Sequence, residues 1–217
     1  MARNKQTTAL PSASALTLWA TWLWRLALAV VAGYGSWLML NDVRTWTDFV
    51  NNILYFTLLS TVAVFLVNLG SVIRPFIVKG SNRHRLEGNH GWFRGATTSM
   101  TILTGIVYAA LLGAQYPNLE GIISHIACPI LMILDWIFVG QNQTRLRWFV
   151  PVTWAATFAP YLWLYSWNAR YFGRPMYDFL DPNAADWWLA VALTIATYLA
   201  LCYLVLFLAK VLRRLGR

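Results

Sequence analysis

The most chemically distinctive stretch of the chain is the apolar run Gly121–Gly140, which contains a histidine, a cysteine and an aspartate. The run is long enough to cross a bilayer as one helix, which takes about 20 residues. Ionisable side chains inside a membrane are costly, so they mark sites of function or of ion pairing. His125 is therefore a candidate general base, and Asp135 is a candidate for either chemistry or a structural ion pair.

The cysteine of this run, Cys128, lies three residues after His125 and shares its helical face. That spacing leaves open a Cys–His nucleophilic pair or half of a metal site. The remaining histidines, His84 and His90, fall in a loop, and the second cysteine, Cys202, falls in a separate apolar run. Two side chains do not complete a zinc site, and the pattern indicates no disulfide framework. We interpret both cysteines as small buried hydrophobic residues and predict no metal.

The composition is that of an integral membrane protein. Hydrophobic residues make up 59% of the 217 and charged residues only 12%, against about 25% charged in soluble domains. The formal net charge of +9 would suit a nucleic-acid ligand, but the basic residues lie in short segments between apolar runs. Basic residues in that position set membrane topology. We therefore expect a membrane lipid as the partner and exclude nucleic acid.

Six apolar segments have about the length that a bilayer core requires, and they predict an all-α, polytopic membrane protein. They cover residues 16–40, 49–70, 93–115, 119–140, 147–168 and 186–209. The prediction is thus a single transmembrane domain over residues 16–209, between a polar N-terminal tail at 1–15 and a basic C-terminal tail at 210–217.

The distribution of Lys and Arg predicts the orientation of these spans. Thirteen of the 17 lie in the two tails and in the segments 71–94 and 141–147. The alternate segments hold only Arg44, Arg170 and Arg174. By the positive-inside rule both termini are cytoplasmic.

This orientation brings three polar side chains to one depth. At about 1.5 Å per residue, Thr57, Tyr108 and His125 lie roughly 9–12 Å from the outer surface, on spans two, three and four. An imidazole can activate a hydroxyl, and a phenol can donate a hydrogen bond to an oxyanion. Thr57 is therefore a candidate nucleophile. Depth alone leaves open the other hydroxyls near this level, namely Ser60, Thr61, Thr101 and Thr104.

Asp135 is poorly placed to orient this histidine. Ten residues of helix put it about 15 Å from His125 and rotate it by about 80°. Arg25 lies at comparable depth in the inner half of the first span, so we predict a structural ion pair between Arg25 and Asp135. A carboxylate that orients the histidine would come instead from the outer loop 169–186. That loop contains Asp178, Asp181 and Asp186.

Four short motifs occur in order between residues 45 and 185. They are Tyr55-Phe56-Thr57, Arg94-Gly95-Ala96 followed by Thr104-Gly105-Ile106-Val107-Tyr108, the segment His125 to Trp136, and Tyr177-Asp178-Phe179-Leu180-Asp181. Together they resemble the androgen-induced protein family of membrane hydrolases, most closely its bacterial branch of six-span proteins. Leu59 and Thr61 stand where that branch has Gln and Asn, and Asp178 stands in place of a proline.

The resemblance implies a threonine hydrolase of the bacterial plasma membrane that cleaves fatty acid esters of hydroxy fatty acids without a cofactor. The family's catalytic threonine and histidine match Thr57 and His125, and its acidic residue ten positions later matches Asp135. Supporting roles fall to further polar residues of the same motifs and depth, namely Thr104, Tyr108, Tyr177, Asp178 and Asp181.

A non-catalytic lipid-binding protein or a small-solute transporter on the same scaffold is the alternative. Transporters often combine internal repeats with helices that Gly or Pro interrupts near the bilayer midplane. Pro129 and Pro160 interrupt spans four and five, but the two halves of this sequence show no repeat. The hydrolase is therefore the preferred hypothesis.

Overall fold

The computed structural model describes residues 13–87 and 91–215, which form helices and turns with no β-strand. Most of the predicted N-terminal tail, the last two residues of the C-terminal tail and His90 lie outside these ranges. The α-helices of the described chain are α1 (Ala15–Leu40), α2 (Trp46–Ile53), α3 (Phe56–Ile77), α4 (Asn82–Leu86), α5 (Trp92–Leu111), α6 (Leu119–Ile122), α7 (Cys128–Phe138), α8 (Val150–Ala156), α9 (Phe158–Phe172) and α10 (Trp187–Arg214). The π-helical turn Ile123–Ala127 joins α6 to α7, and 3₁₀ turns occupy Asn142–Arg145 and Asp178–Leu180.

Four helices of the described chain are long and apolar enough to cross a membrane. They are Ala15–Leu40, Phe56–Ile77, Leu119–Phe138 and Trp187–Leu212. The all-helical class and the presence of membrane-length apolar helices agree with the sequence prediction. The third predicted span corresponds to α5, which is rich in serine and threonine. The fifth predicted span corresponds to two consecutive helices, α8 and α9.

The second predicted span, 49–70, differs from the helix that the structure contains. Residues 46–53 form the separate helix α2, which begins with a capping box between Thr45 and Asp48 and has no buried residue. Asn51 and Asn52, which are weak helix formers, come just before its end. The long helix α3 begins only at Phe56. Thr57 therefore lies in the first turn of a helix and not in the interior of a span.

The fifth predicted span, 147–168, is interrupted at Thr157, which separates α8 from α9. Pro160 has no N–H and cannot bond the carbonyl of Ala156, which lies four residues earlier. The Thr157 hydroxyl turns back to the Trp154 carbonyl, at 2.6 Å. The break therefore divides the fifth predicted span into two shorter helices.

Tryptophan side chains hold α5, α7, α8 and α10 together. Trp136 and Trp154 are buried and meet edge to face, with ring centroids 6.1 Å apart. A Cβ at Gly95 of α5 would collide with both rings, so only glycine allows this approach. The indole N–H of Trp136 donates to the Val205 carbonyl of α10 at 2.9 Å. Helix α6, the π-helical turn and α7 together form one continuous helical segment, Leu119–Phe138, which we call the α6–α7 rod. A second apolar cluster joins α1, α3 and this rod through Leu28, Ala32, Val64, Ile123, Cys128 and Met132.

A buried polar network occupies the end of the bundle at which α5 begins and α7 ends. Arg94 donates from Nε to the Asp135 carboxylate at 2.9 Å, and from Nη2 to the Asp135 and Val139 carbonyls at 2.8 and 2.7 Å. Its Nη1 donates to the side-chain oxygens of Asn142 and Gln143 at 2.8 and 3.2 Å. All five N–H groups of this guanidinium therefore have an acceptor.

The predicted pair of Arg25 and Asp135 is only the longer of two ionic contacts that this carboxylate makes. Arg25 Nε lies 3.8 Å from Asp135 Oδ1, whereas Arg94 Nη2 lies 2.8 Å from Oδ2. The indole of Trp24 also donates to Oδ1, at 3.2 Å. The charge pattern counts Arg94 among the basic residues that set topology, and it does not distinguish that role from ion pairing. The main partner of Asp135 is therefore Arg94.

We expect Asp135→Asn and Arg94→Gln to lower the thermal unfolding midpoint of the purified protein much more than Arg25→Gln does. Either of the first two changes leaves a buried charge without its close partner, which costs about 3–5 kcal/mol. Thermal unfolding in detergent, with the exposed Arg147→Gln as the control for lost charge, measures the difference. A larger loss for Arg25→Gln than for Arg94→Gln would contradict the assignment.

Candidate active site

His125 lies in the π-helical turn between α6 and α7. Pro129 has no N–H and cannot bond the His125 carbonyl four residues earlier. The N–H of Cys128 reaches the Ile123 carbonyl instead, five residues back. Widened turns of this kind occur frequently at functional sites. The proline thus places the histidine on a bulge of the helix.

Helix α5 packs closely against this bulge. A Cβ at Gly105 would stand 3.0 Å from the His125 carbonyl oxygen and 3.3 Å from the Pro129 ring, so glycine permits the approach. One turn later the Tyr108 ring stacks on the imidazole, with centroids 3.8 Å apart and planes inclined by 13°. The Tyr108 hydroxyl donates to the Gln115 carbonyl. Tyr108 therefore orients the imidazole, and its hydroxyl is not free for the oxyanion role that the sequence predicts.

Thr57 is the second residue of α3, whose N-cap residue Tyr55 makes no side-chain capping bond. The phenol oxygen of Tyr177, in the loop after α9, accepts the N–H of Phe56 at 3.1 Å and so caps the helix from a distance. Burial raises the pKa of Tyr177 to about 12, although hydrogen bonds with Phe56 and Thr57 act in the opposite direction. The phenol therefore keeps its proton at neutral pH and remains a donor beside Thr57.

Thr57 and His125 both border the same two cavities. The larger has a volume of about 310 Å³ and opens between α1, α3, α5 and α6, with Tyr108 and Glu120 also on its wall. The smaller, of about 30 Å³, lies on the α9 and α10 side, with Thr104 and Tyr177 on its wall. The threonine and the histidine are thus the two residues that line both cavities. His125 Nδ1 is buried and has no hydrogen-bond partner within the described part of the chain.

The other hydroxyl groups that depth alone allowed as candidate nucleophiles are buried and donate hydrogen bonds to carbonyls. Those of Ser60 and Thr61 donate to the Thr57 carbonyl at 3.0 and 2.8 Å, and Thr101 donates to carbonyls of its own helix. Thr104 donates to the Met100 carbonyl at 3.0 Å and also contacts Ser60. Thr57 is half-buried and faces both cavities. Among these hydroxyls it is the one most accessible to a ligand.

The other predicted residues divide into those that reach the site and those that do not. Thr104 and Tyr177 line the smaller cavity, whereas Asp178, Asp181 and Asp186 line neither cavity. Asp178 is exposed, and the Asp181 carboxylate accepts the N–H of Asn183 at 2.9 Å. The predicted carboxylate from this loop is therefore not near the imidazole. Cys128 is buried in the apolar cluster on the α1 side and also lines neither cavity.

The carboxylate that does share a cavity with His125 is Glu120. It is half-buried in the first turn of α6 and accepts a hydrogen bond from the Asn118 side chain at 3.0 Å. The sequence analysis did not identify Glu120, because an acidic residue at the start of a span is also common where a helix enters the membrane–water interface. The one available signal was its position five residues before the histidine.

Comparison of the chain with protein-family models, with curated proteins and with solved structures finds no match. The function is therefore inferred from the residues of the chain and from their geometry.

We expect Gly105→Ala to destabilise the protein, because the new methyl group would press on the His125 carbonyl and the Pro129 ring. The matched control is Gly70→Ala in α3, where a Cβ meets nothing within 4 Å. Replacing a helical glycine by alanine gains roughly 0.5–1 kcal/mol when space permits. Thermal unfolding should thus move the two variants in opposite directions. A stabilised Gly105→Ala protein would show that the close approach of α5 is not required.

Proposed function

We propose that the protein is a six-span membrane enzyme that hydrolyses a lipid ester, with Thr57 as nucleophile and His125 as general base. The observation that carries the proposal is the position of these two side chains, both of which line each of the two cavities. Both termini are cytoplasmic in this proposal, so the end of the bundle that contains Thr57 faces the outer leaflet. The spans are α1, α3, α5, the α6–α7 rod, α8 with α9, and α10.

In the first half of the reaction, Thr57 Oγ1 attacks the ester carbonyl while His125 takes its proton. The tetrahedral intermediate collapses as the imidazolium gives that proton to the leaving alcohol, and an acyl-threonine remains. His125 Nδ1 has no hydrogen-bond partner among the described residues, so it makes no direct bond to the Thr57 hydroxyl. The transfer therefore proceeds through a small side-chain movement or through one bridging water.

Donors for the developing oxyanion lie in the first turn of α3. The first bond within this helix runs from the Leu59 N–H to the Tyr55 carbonyl, so the N–H groups of Thr57 and Leu58 have no acceptor in the helix. They belong to the nucleophile and its neighbour, as expected of an oxyanion hole. The neutral phenol of Tyr177 is a third donor at the same place.

The two cavities suit different reactants. The larger is within the usual size range of ligand pockets, and it has polar groups at Asn52, Asn118 and Glu120 beside apolar groups at Met39 and Leu58. This mixture fits an ester at the level of lipid headgroups. The smaller is large enough to hold water. We assign it to the water that His125 activates to release the acyl group from Thr57.

Substitutions of the two proposed catalytic residues test the mechanism. Thr57→Ala removes the attacking oxygen and should abolish both labelling by a fluorophosphonate probe and the hydrolysis of lipid esters. Thr57→Ser keeps the hydroxyl but loses the methyl group that restricts its rotamer, so partial activity should remain. His125→Ala should be nearly as damaging, and the double variant little worse than either single one, because the two residues act as a unit.

The matched control is Ser60→Ala, which removes a buried hydroxyl one turn away and should leave labelling unchanged. All variants are compared as folded, monodisperse protein. Labelling that survives Thr57→Ala but is lost in Ser60→Ala would identify Ser60, and not Thr57, as the nucleophile. If no variant matters and no probe labels the protein, a lipid-binding or transport function replaces the hydrolase.

The topology is tested with cysteines placed at Asn183 and at Arg147, both of which are exposed. A membrane-impermeant thiol reagent added to intact cells should modify Asn183→Cys and spare Arg147→Cys. Gln143 lies in the same predicted cytoplasmic segment but is buried, so it would report packing and not sidedness. The native Cys128 and Cys202 are also buried and provide a low background. The opposite pattern would reverse the orientation and with it the outer-leaflet site.

A further inference from the structure

Arg25 is a buried cation with unused hydrogen-bonding capacity. It lies within α1 and is 2% exposed. Its Nη1 donates to the Leu86 carbonyl at 2.7 Å. Its Nε and Nη2 have no hydrogen-bond partner among the residues that the structure describes. A guanidinium carries five N–H donors, and leaving such donors unpaired in a buried position is costly.

The acidic residues nearby are already neutralised by other partners. Asp135 has its short ionic contact with Arg94 and lies 3.8 Å from Arg25 Nε. Glu87 accepts from Arg83 Nη1 at 2.7 Å. The Glu87 carboxylate also accepts the backbone N–H groups of Gln141 and Asn142, at 2.8–3.0 Å. Arg25 is thus the cation of this cluster whose charge is least compensated.

A cavity of about 470 Å³ lies beside Arg25, between α3, α4 and α5. Arg74 also lines this cavity. The Nε of its guanidinium donates to the His84 carbonyl at 3.2 Å. Three large apolar side chains on the cavity wall are exposed on the outer surface of the bundle. They are Leu66, Ile77 and Phe93.

We propose that this cavity binds a phosphate group, with Arg25 and Arg74 as its cationic donors. Planar guanidinium groups match the paired oxygens of a phosphate and form short, charge-assisted hydrogen bonds with it. Arg94 borders the same space but has no donor to spare. Glu87 also borders it, with its charge directed to Arg83 and to the turn at Gln141 and Asn142. The bound phosphate adds a close counter-charge to Arg25, whose ionic contact with Asp135 is long, at 3.8 Å.

The phosphate belongs either to a phospholipid headgroup or to a small soluble phosphate compound. The exposed apolar side chains beside the cavity would accompany the acyl chains of a lipid, and the charge pattern places this end of the bundle at the cytoplasmic surface. Anionic headgroups attract basic residues at that surface. This site lies at the opposite end of the bundle from Thr57 and is independent of the proposed hydrolysis.

Binding is measured on the purified full-length protein by thermal unfolding and by native mass spectrometry. The probes are a short-chain phosphatidic acid, the diacylglycerol with the same chains, and inorganic phosphate. We expect phosphatidic acid to raise the unfolding midpoint and to appear as a bound mass, whereas diacylglycerol does neither. An equal response to inorganic phosphate would identify a soluble ligand, and no response to it would identify the lipid.

Two variants and one control locate the site. Arg74→Gln keeps a half-buried polar side chain and should weaken binding by about tenfold or more, as expected for the loss of a charge-assisted hydrogen bond. Arg25→Gln should do the same, and if it does not fold, Arg74→Gln carries the test. Arg147→Gln removes the same charge at the same end of the bundle without touching the cavity, and should bind as the native protein does.

If a co-purified lipid already fills the site, a bound phospholipid mass should appear on the native protein and on Arg147→Gln. The same mass should be absent from Arg74→Gln. The proposal is overturned if phosphatidic acid and diacylglycerol act equally. It is also overturned if Arg74→Gln and Arg147→Gln bind alike, or if neither phosphate probe binds and no phospholipid co-purifies.

Discussion

The hydrogen bonds of Arg94 fix α5 against α7, and the position of the candidate site depends on that register. The two helices are antiparallel, with Arg94 opposite Asp135 at one end. Gly105 lies about 16 Å further along α5, and His125 lies about 15 Å back along the α6–α7 rod. The two distances match, so the guanidinium that closes one end also brings the glycine against the histidine carbonyl at the other. A buried arginine with a complete set of acceptors allows no slippage, because any shift would leave donors unpaired in an apolar interior.

Interruptions of the helices then supply the functional groups. An unbroken helix in an apolar medium satisfies all of its inner backbone groups and offers none to a substrate. The break before Phe56 leaves the N–H groups of the first turn of α3 available, and Tyr177 takes up one of them. Pro129 releases the His125 carbonyl, and Gly105 allows α5 to approach it. The Tyr177 phenol thus satisfies one backbone group that a break sets free, and Gly105 lets α5 pack against another.

The placement of Thr57, His125 and Tyr108 at one end of the bundle could be predicted from the sequence. Helix rise and the alternating direction of the spans determine how deep each residue lies. The sequence prediction placed the start of α3 wrongly, since apolar content continues through α2 and only the weak helix formers Asn51 and Asn52 indicate the end of that helix. The capping of α3 by Tyr177 was beyond reach for a different reason. That contact joins residues far apart in the chain and depends on the path of the loop after α9. Arg94 was missed as the partner of Asp135 because a basic residue at the end of a span serves topology and ion pairing equally well.

The buried cationic and imidazole groups of this molecule differ in how far their hydrogen bonds are satisfied. Arg94 has an acceptor for each donor, so taking part in binding or proton transfer would require it to break bonds that hold two helices together. Among the residues that the structure describes, His125 has a buried nitrogen without a hydrogen-bond partner, and Arg25 has two. Both lie beside a cavity, at opposite ends of the bundle. A neutral imidazole with a vacant nitrogen suits the transfer of a proton, whereas a permanently charged guanidinium with vacant donors suits the retention of an anion. The same criterion therefore assigns different chemistry to the two ends.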